Sequence, residues 1–540
     1  MRCALFDNGR VANSKLFYGD TRRSLKILLF PSLVVTSAAR CVMSRGMQTA
    51  TLVSLALYFV LMLAIGLYAW KKSTADSEGY LLGGRDLHPA VAALSAGASD
   101  MSGWLLLGLP GALYLSGLVE AWIGIGLFVG ALANWIIVAP RLRKQTVEYG
   151  NALTIPEFLA NRFPEKAVAL RVISAIIIVL FFTVYSAAGL VGGGKLFEST
   201  FIDSAVMGMS PYTAGIWLTA LVVLAYTMVG GFLAVSLTDF VQGCIMVVAL
   251  VVMPLVVITD EGGLGEVSSI VSGVDPQFLS WFGGLSVIGF LSAIAWGLGY
   301  FGQPHIIVRF MAVREGGVPM ARNIGMSWML VALIGALGVG LAGRAHVAAN
   351  PGIMLEDPET IFILMANTLF HPFVTGFLLA ALLAAIMSTI SSQLLVSSSS
   401  LTEDFYRLFL RKEASETEMV NVGRLCVALV ALAAIVIAYD PTSRVLGLVS
   451  NAWAGFGAAF GPLIILSLTW KRMTGAGAVA GLVTGAVVVI AWIALGWNAA
   501  FLGGPGIYEI IPGFIAAWAA IWLVSRANQG AVQSTQPSTI

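Results

Sequence analysis

An aspartate lies inside an apolar run of the chain, where a charged side chain is costly. Asp100 interrupts the run "LSAGASDMSGWLLLGLPGALY", residues 94–114, and its neighbours are Gly, Ala and Ser. The run is long enough to cross a membrane. A carboxylate in the middle of a bilayer usually marks an ion or substrate pathway, because its burial there costs free energy. Asp100 is therefore the first candidate for a functional residue.

Two hydroxyl side chains lie in a second apolar run, "LLAAIMSTISSQLLVSSSS". Ala385, Ser388 and Thr389 are spaced i, i+3 and i+4, which places them on one face of a helix. Two adjacent hydroxyl oxygens on such a face can bind a hard cation, which prefers oxygen ligands. The alternative is that both hydroxyls donate to carbonyls of their own helix and only pack.

The composition is that of a protein with many membrane spans. Of 540 residues, 58% are hydrophobic and 11% are charged, whereas soluble domains have about 25% charged residues. The sequence contains no basic stripe for nucleic acid and no GxxxxGK[ST] motif for a nucleotide. Its four Cys form no CxxC pair and its four His are scattered, which argues against a disulfide framework and a metal cluster. No catalytic triad converges, so we expect no enzymatic activity.

Thirteen apolar segments are long enough to span a membrane, which takes roughly 20 residues of helix. We place them near 52–70, 91–115, 118–139, 172–192, 212–233, 239–259, 283–303, 325–343, 371–397, 419–438, 446–469, 474–496 and 508–525. Residues 1–46 differ, because they hold eight Lys and Arg and only a short apolar stretch. We interpret them as sequence upstream of a true start at Met47, or alternatively as a signal-like segment. The transmembrane domain is then 47–526, and 527–540 form a cytoplasmic tail.

The basic residues orient the spans, because cytoplasmic loops are enriched in Lys and Arg. With the start of the first span outside, nineteen of these loop residues lie inside and three lie outside, namely Lys195, Arg344 and Arg444. The N-terminus is therefore predicted outside and the C-terminus in the cytoplasm. Glu120 and Asp239 lie at span ends, and we expect both to be solvated rather than functional.

Two spans that are five apart contain Gly-rich interruptions. The second span has "SAGASDMSG", and the seventh has "AIAWGLGYFGQP", residues 293–304. Paired interrupted helices in two halves of a chain are typical of transporters with inverted repeats, which bind substrate and ions at the breaks. Spans 2–6 and 7–11 would form two five-helix repeats of opposite polarity, at about 91–259 and 283–469. For the seventh span alone, the alternative is a Gly-rich packing face.

Four strings together resemble the solute:sodium symporter family, and within it the bacterial members that carry proline. They are "SAGASDMSGWLLLGLPGALYLSG", "WGLGYFGQPHIIVRFMA", "AAIMSTISSQLLVSSSSLTEDFY" and "SNAWAGFGAAFGPL". The resemblance runs from Met47 to about Arg526, and the first 46 residues have no counterpart. It implies an all-α polytopic membrane protein with 13 transmembrane helices and a leucine-transporter-like core of two five-helix inverted repeats.

The resemblance also implies roles for individual residues. Sodium would bind carbonyl or hydroxyl oxygens of five residues and no others: Ala98, Met101, Ala385, Ser388 and Thr389. Sodium coupling would involve Asp100 and Arg85, although Arg85 is alternatively an ordinary basic residue of an inner loop. Substrate binding would involve seven residues: Ser102, Gly103, Trp104, Tyr185, Trp296, Tyr300 and Pro304. Asn451 and Trp453 are weaker candidates, and for the aromatic residues the alternative is plain packing.

The implied function is secondary active import of L-proline, coupled to sodium by alternating access, across a bacterial plasma (inner) membrane. Sodium would be a co-transported ion, and no cofactor is expected. The partners would be L-proline, sodium and the lipid bilayer, without nucleic acid and without an obligate protein partner. The alternatives are a sodium symporter of the same fold for another small amino acid or a carboxylate, a sensor, and a passive channel. The short tail argues against a sensor, and the paired breaks argue against a channel.

Overall fold

The computed structural model describes residues 40–72, 82–202 and 204–534 of the chain. The predicted extension, 1–46, lies outside the described residues except for 40–46, which begin the first helix. Of the predicted tail, 527–534 continue the last helix and 535–540 lie outside the described residues. From Met47 onward, the described residues form one compact unit.

Eighteen α-helices make up most of the described chain. In chain order, α1 to α18 are Arg40–Lys72, Pro89–Asp100, Leu109–Ser116, Ala121–Ile137, Ala139–Glu148, Ile155–Arg162, Ala167–Thr200, Pro211–Asp260, Leu264–Val274, Val287–Ala295, Pro304–Ala312, Val318–Ala349, Ile361–Leu369, Pro372–Leu401, Glu416–Ala438, Val445–Thr469, Gly475–Ala494 and Ile510–Ser534. The 3₁₀ segments are Gly83–Arg85, Gly117–Glu120, Pro164–Lys166, Trp296–Gly302 and Pro358–Thr360, and the π segments are Trp104–Gly108 and Thr402–Leu410. Two-residue strands, β1 Ala500–Phe501 and β2 Gly504–Pro505, form an antiparallel hairpin.

Many of the helices begin at a side-chain cap. The hydroxyls of Ser210, Ser286 and Thr474 each accept a hydrogen bond from a backbone N–H three residues later, which satisfies one of the unpaired donors of a helix start. α6 begins in the same way, because Thr154 accepts from the backbone N–H of Glu157. These caps explain why the helices start at the polar ends of the apolar runs.

Ten helical stretches of the described chain are long and apolar enough to cross a membrane, whereas thirteen spans were predicted. The predicted span 91–115 is divided at Asp100. Its second part continues through α3, α4 and α5 as one apolar stretch, Trp104–Glu148. The predicted spans 212–233 and 283–303 match shorter apolar helices, Pro211–Ala225 and Val287–Gly302. The lower number therefore arises where the helices are interrupted or merged, and the chain is a nearly all-helical, multi-pass membrane protein.

The helices differ in how deeply they are enclosed. The apolar windows of α14 and α16 are 83% and 89% buried, whereas those of α1 and α15 are only 28% buried. On α1, Leu57 and Val60 remain more than half exposed. Because lipid tails are as apolar as these side chains, this exposure suits contact with a bilayer. α14 and α16 thus lie at the centre of the molecule and α1 and α15 at its edge.

Both predicted helix breaks are confirmed. α2 ends at Asp100, Met101 leaves the helical region with φ −80° and ψ +74°, and the chain resumes as the π segment Trp104–Gly108. α10 ends at Ala295 and passes through the 3₁₀ segment Trp296–Gly302. Gln303 is then extended, with φ −81° and ψ +104°, and α11 begins at Pro304. Each break frees backbone groups in the middle of an apolar run.

The glycines of the seventh span also form a close packing face. Both interpretations of this span, a helix break and a Gly-rich packing face, therefore apply. A β-carbon on Gly130 of α4 would overlap the carbonyl of Gly297, and one on Gly297 would overlap the carbonyl of Gly126. Gly126 and Gly130 are four residues apart on α4, which is the small-xxx-small spacing of close membrane helix pairs. The second break is therefore held against α4 with backbone in contact with backbone.

Candidate functional site

A hydroxyl of α14 contacts the first helix break. Ser388 Oγ donates a hydrogen bond to the carbonyl of Ala98 at 2.7 Å and lies 3.1 Å from the carbonyl of Ala385. Thr389 Oγ1 donates to the same Ala385 carbonyl at 3.1 Å. Four of the five predicted sodium-binding residues are thus brought together by direct contacts. The fifth, Met101, lies three residues after Ala98 in the break itself, where its N–H donates to Gly97.

Asp100 is the meeting point of three aromatic side chains from separate elements. Its carboxylate oxygen Oδ2 accepts a short hydrogen bond from the hydroxyl of Tyr300, which lies in the second break. Its backbone carbonyl accepts from Trp104 Nε1 at 3.1 Å and from the hydroxyl of Tyr185 on α7 at 3.2 Å. The Asp100 side chain is buried, and its oxygen Oδ1 has no hydrogen-bond partner among the described residues. The two breaks therefore meet at this carboxylate.

Trp296 and Tyr300 are held by Trp453 of α16. The indole N–H of Trp453 donates to the Trp296 carbonyl at 2.7 Å, and its ring lies edge-on to Tyr300 with centroids 5.0 Å apart. The ring of Trp296 stacks on Tyr508, with centroids 5.3 Å apart. Trp453, which with Asn451 was one of the two weaker candidates from the sequence, is thus part of this cluster, and Trp296 contacts it through its backbone carbonyl.

The other predicted substrate residues lie at different distances from this centre. Ser102 is buried beside Trp104 and accepts a weak hydrogen bond, at 3.4 Å, from the Trp104 N–H. A β-carbon on Gly103 would lie 3.3 Å from the side chain of Ile386, two residues before Ser388. Pro304 begins α11 and lines a separate cavity of about 30 Å³ together with residues of α6 and α14. Ser102 and Gly103 are therefore grouped with the centre, and Pro304 is not.

The structure does not bring Arg85 to this centre. Its guanidinium donates to three oxygens, namely Thr146 Oγ1 at 3.2 Å, the Met311 carbonyl at 3.3 Å and the Ala152 carbonyl at 2.5 Å. The backbone of Arg85 has a φ of +53°, which is uncommon for a residue with a side chain. Arg85 thus ties the turn before α2 to the ends of α5 and α11.

The expectation that Asp239 is solvated is wrong. Asp239 and Arg309 are both fully buried and form an ion pair at 3.2 Å. Ser95 donates to Asp239 at 2.8 Å, and Arg309 donates to Ser95 at 3.1 Å and to Ser392 at 2.6 Å. A buried charge is costly unless it is paired and hydrogen-bonded. The partners of this ion pair come from α2, α8, α11 and α14, so the pair joins these four helices. The signal that the sequence offered was two opposite charges near apolar spans, where ionisable residues usually pair.

Asn134 of α4 is a second residue that the sequence interpretation did not select. Its amide donates to the Tyr300 carbonyl at 2.9 Å, and it lies one turn after Gly130. A cavity of about 20 Å³ is lined by Asp100, Asn134 and Tyr300, among others. A cavity of this size has room for one water molecule. The second break is therefore anchored through its backbone by Asn134 and through its side chain by Asp100.

Lys195 and Glu359 form another buried ion pair, which lies at the ends of several helices. Lys195 of α7 contacts Glu359 and Asp357, both at 2.7 Å. The carboxylate of Glu359 also accepts from the backbone N–H groups of Val445 and Leu446, at 2.9 and 3.1 Å. Glu359 therefore caps the start of α16, which favours a negative charge at that end. We refer to these five residues as the Glu359 junction.

Comparisons with known proteins identify the family of the chain. The model of the "Sodium:solute symporter family" matches residues 80–485. The chain is 52% identical over 474 residues to the high-affinity proline transporter PutP of Bacillus subtilis, covering 88% of this chain and 97% of the relative. It is 52% identical over 490 residues to a sodium/proline symporter of Staphylococcus aureus, covering 89% and 93%.

Two solved structures have a similar fold. One is a Na+-coupled sialic acid symporter in a substrate-bound, outward-open state, with a TM-score of 0.73 and 20% identity, covering 88% of this chain and 98% of that chain. The other is a nucleobase-cation-symport-1 family transporter in a closed conformation, with a TM-score of 0.52 and 13% identity, covering 84% and 95%. At these identities the likeness concerns the fold alone.

Proposed function

Because the chain belongs to the sodium:solute symporter family, we propose that it imports L-proline together with sodium by alternating access. The observation that carries the proposal is the contact of Ser388 with Ala98, by which a hydroxyl of α14 reaches a free carbonyl at the break after α2. Relatives named for proline transport, with about half of their residues identical over most of both chains, support the same substrate. The family is one of transporters and not of enzymes.

The proposed sodium site consists of five oxygens at the first break. They are the carbonyls of Ala98, Met101 and Ala385 and the hydroxyls of Ser388 and Thr389. Carbonyl and hydroxyl oxygens suit a hard monovalent ion, and irregular backbone at this depth is tolerated where it lines a binding cavity. The hydrogen bonds that now join Ser388 to Ala98 and Thr389 to Ala385 are contacts that an ion can replace, because all these groups carry free lone pairs. Sodium is the co-transported ion, and no cofactor is needed.

The proposed proline site lies next to this, among the aromatic side chains around Asp100. Proline is a zwitterion with a small apolar ring and a secondary ammonium group. The faces of Trp104, Tyr185 and Tyr300 suit that ring and cation, and the start of the helix after Ser102 and Gly103 suits its carboxylate. Trp296 lies in the second break and Pro304 starts the helix after it, and we assign both a supporting role, in which Pro304 fixes the end of the break from outside the pocket.

Coupling follows from the position of Asp100 between the two sites. We assign Asp100 the role of holding the first break in the conformation that binds sodium, through Tyr300 of the second break. Sodium then raises the affinity for proline, and proline raises the affinity for sodium by the same factor. Each sodium ion that enters gains about 2.3 kcal/mol per 100 mV of membrane potential. Arg85 would act on coupling at a distance, through the turn that precedes α2.

The proposed topology has 13 spans and two inverted five-helix repeats, at about 91–259 and 283–469. The ten long apolar stretches and the shorter helices before Gly231 and Gln303 support this number. The excess of Lys and Arg supports an outer N-terminus and a cytoplasmic C-terminus in a bacterial plasma membrane. In this orientation the Glu359 junction faces outward. The bilayer is the only large partner that the proposal requires.

Uptake into proteoliposomes tests the proposal. We expect labelled L-proline to accumulate when an inward sodium gradient is imposed, and to equilibrate only when potassium replaces sodium. Unlabelled proline should compete better than other small amino acids or carboxylates. Equal accumulation without sodium, or stronger competition by another solute, would contradict the proposal.

A substitution at the centre sharpens this test. Asp100→Asn removes the charge and keeps the size of the side chain, so we expect sodium-stimulated uptake to be lost while the protein still inserts. Glu120→Gln, at the end of a span, is the control and should transport normally. Normal sodium dependence in Asp100→Asn would refute the role assigned to this residue.

A further inference from the structure

A histidine and two carboxylates meet where two long helices end. Asp260 is the last residue of α8 and Glu261 follows it, while His346 lies in the last turn of α12. His346 Nδ1 is 2.6 Å from Glu261 Oε1. One nitrogen or carboxylate oxygen of each residue lies within 4.8 Å of those of the other two. None of the roles described above uses this group, which we call the Asp260 cluster.

The electrostatics of the Asp260 cluster favour a cation. α8 and α12 both present their C-termini here, and the unpaired carbonyls of a helix C-terminus carry partial negative charge. Two carboxylates add to this charge. Arg344, two residues before His346, is a basic residue that lies over the rings of Tyr114 and Phe278, 4.9 and 5.4 Å from their centroids. Its guanidinium is thus placed against these rings.

The donor set selects the class of ion. Imidazole nitrogen binds zinc and similar transition metals, whereas calcium takes six to eight oxygens and magnesium keeps oxygen ligands. Without an ion, the 2.6 Å contact is a hydrogen bond in which His346 Nδ1 carries the proton, because the Glu261 carboxylate can only accept. His346 Nε2 has no hydrogen-bond partner among the described residues, so the proton can move to Nε2 when an ion takes the place of this hydrogen bond. The neighbouring Asn350 amide donates to the His346 carbonyl at 2.8 Å and lies 3.4 Å from Nδ1.

We propose that Asp260, Glu261 and His346 form a binding site for a divalent transition metal such as zinc. Three protein ligands with water in the remaining position are a common arrangement for zinc. The ion connects the end of α8 with the end of α12. It also holds the turn through Gly262 and Gly263, both at positive φ, from which α9 starts. The site is separate from the proposed sodium and proline sites.

Zinc binding to the purified protein tests this inference. We expect competition with a chromophoric zinc indicator to show one zinc ion per chain, and Mg²⁺ in excess not to displace it. Asp260→Asn and His346→Gln should each weaken binding by roughly tenfold or more. Asp260 is exposed, so its variant should fold even if the buried His346 variant does not. Glu356→Gln, an exposed carboxylate outside the cluster, is the control and should bind zinc like the wild type.

The unfolding temperature provides a second readout. Because zinc binds the folded state, saturating zinc should raise the unfolding midpoint of the wild type by about 2 °C or more. The Asp260→Asn variant should show a much smaller rise. No zinc binding by the wild type, or equal binding by wild type and both variants, overturns the proposal, and the second result assigns the zinc to other groups such as thiols. None of these measurements depends on transport, so their failure is distinct from a failure of the proposed function.

Discussion

The hydroxyl of Tyr300 is the atom that joins the two helix breaks, and its removal is the sharpest test of the coupling proposed above. Tyr300→Phe leaves the ring in place against Trp453 and leaves the Asn134 bond to the backbone untouched. It removes only the hydrogen bond to Asp100. Among the described residues, the Asp100 carboxylate then has no donor at either oxygen.

The size of the effect follows from the type of hydrogen bond lost. A hydrogen bond to a charged group contributes about 1.5–3 kcal/mol, which corresponds to roughly a 10- to 150-fold change in an equilibrium constant. The cavity of about 20 Å³ beside Asp100 admits one water molecule, which can replace part of the lost bond. We therefore expect the lower part of this range. If the joined breaks form the state that binds sodium, the apparent sodium affinity falls by roughly tenfold.

Initial rates of proline uptake at a series of sodium concentrations measure this change. Tyr300→Phe should shift the half-saturating sodium concentration upward, while high sodium restores most of the rate. Tyr212→Phe is the matched control, because it also loses a tyrosine hydroxyl bond, to the Ala438 carbonyl, away from the breaks. A half-saturating sodium concentration within about twofold of the wild type would refute the reasoning, since it would mean that the bond does not help to form the sodium-binding state.

Two further predictions concern the hydroxyls of α14 and the buried ion pair. Ser388→Ala should raise the half-saturating sodium concentration for uptake more than Thr389→Ala does, because only Ser388 also bonds across to Ala98; an effect confined to proline affinity would contradict a role for either as a ligand. Asp239→Asn leaves Arg309 without its carboxylate, and breaking a buried pair costs about 3–5 kcal/mol. Its unfolding midpoint in detergent should fall clearly, and an unchanged midpoint would mean that the pair is not needed for stability.

The breaks and the α14 face were predictable because their signals are local. Gly, Ala and Ser within an apolar run mark an interruption, and the spacing of Ser388 and Thr389 marks one helix face. The sequence alone did not distinguish whether these hydroxyls bind a cation or donate to carbonyls of their own helix. In the structure, Thr389 donates to its own helix, as the packing alternative predicted, whereas Ser388 also donates to Ala98.

Asp239 shows why the rest was not predictable. Hydropathy placed the start of a span at residue 239, and a charge at a span end is normally solvated. In the structure, the helix already resumes after Gly231, whose φ of +60° interrupts α8. Eight residues of helix are about 12 Å long, so Asp239 lies well inside the bundle. Its partner Arg309 is 70 residues away, and only the packing of four helices brings the two together.

The Glu359 junction has a consequence for how sodium dependence is measured. The side chains of Lys195 and Glu359 are each only 7% exposed. Dissolved salt screens charges in water over about 8 Å at physiological ionic strength but screens buried pairs much less. The junction therefore keeps its strength when the salt concentration outside changes. A titration with sodium chloride should consequently report occupation of the ion site, and not a loosening of this end of the protein by ionic strength.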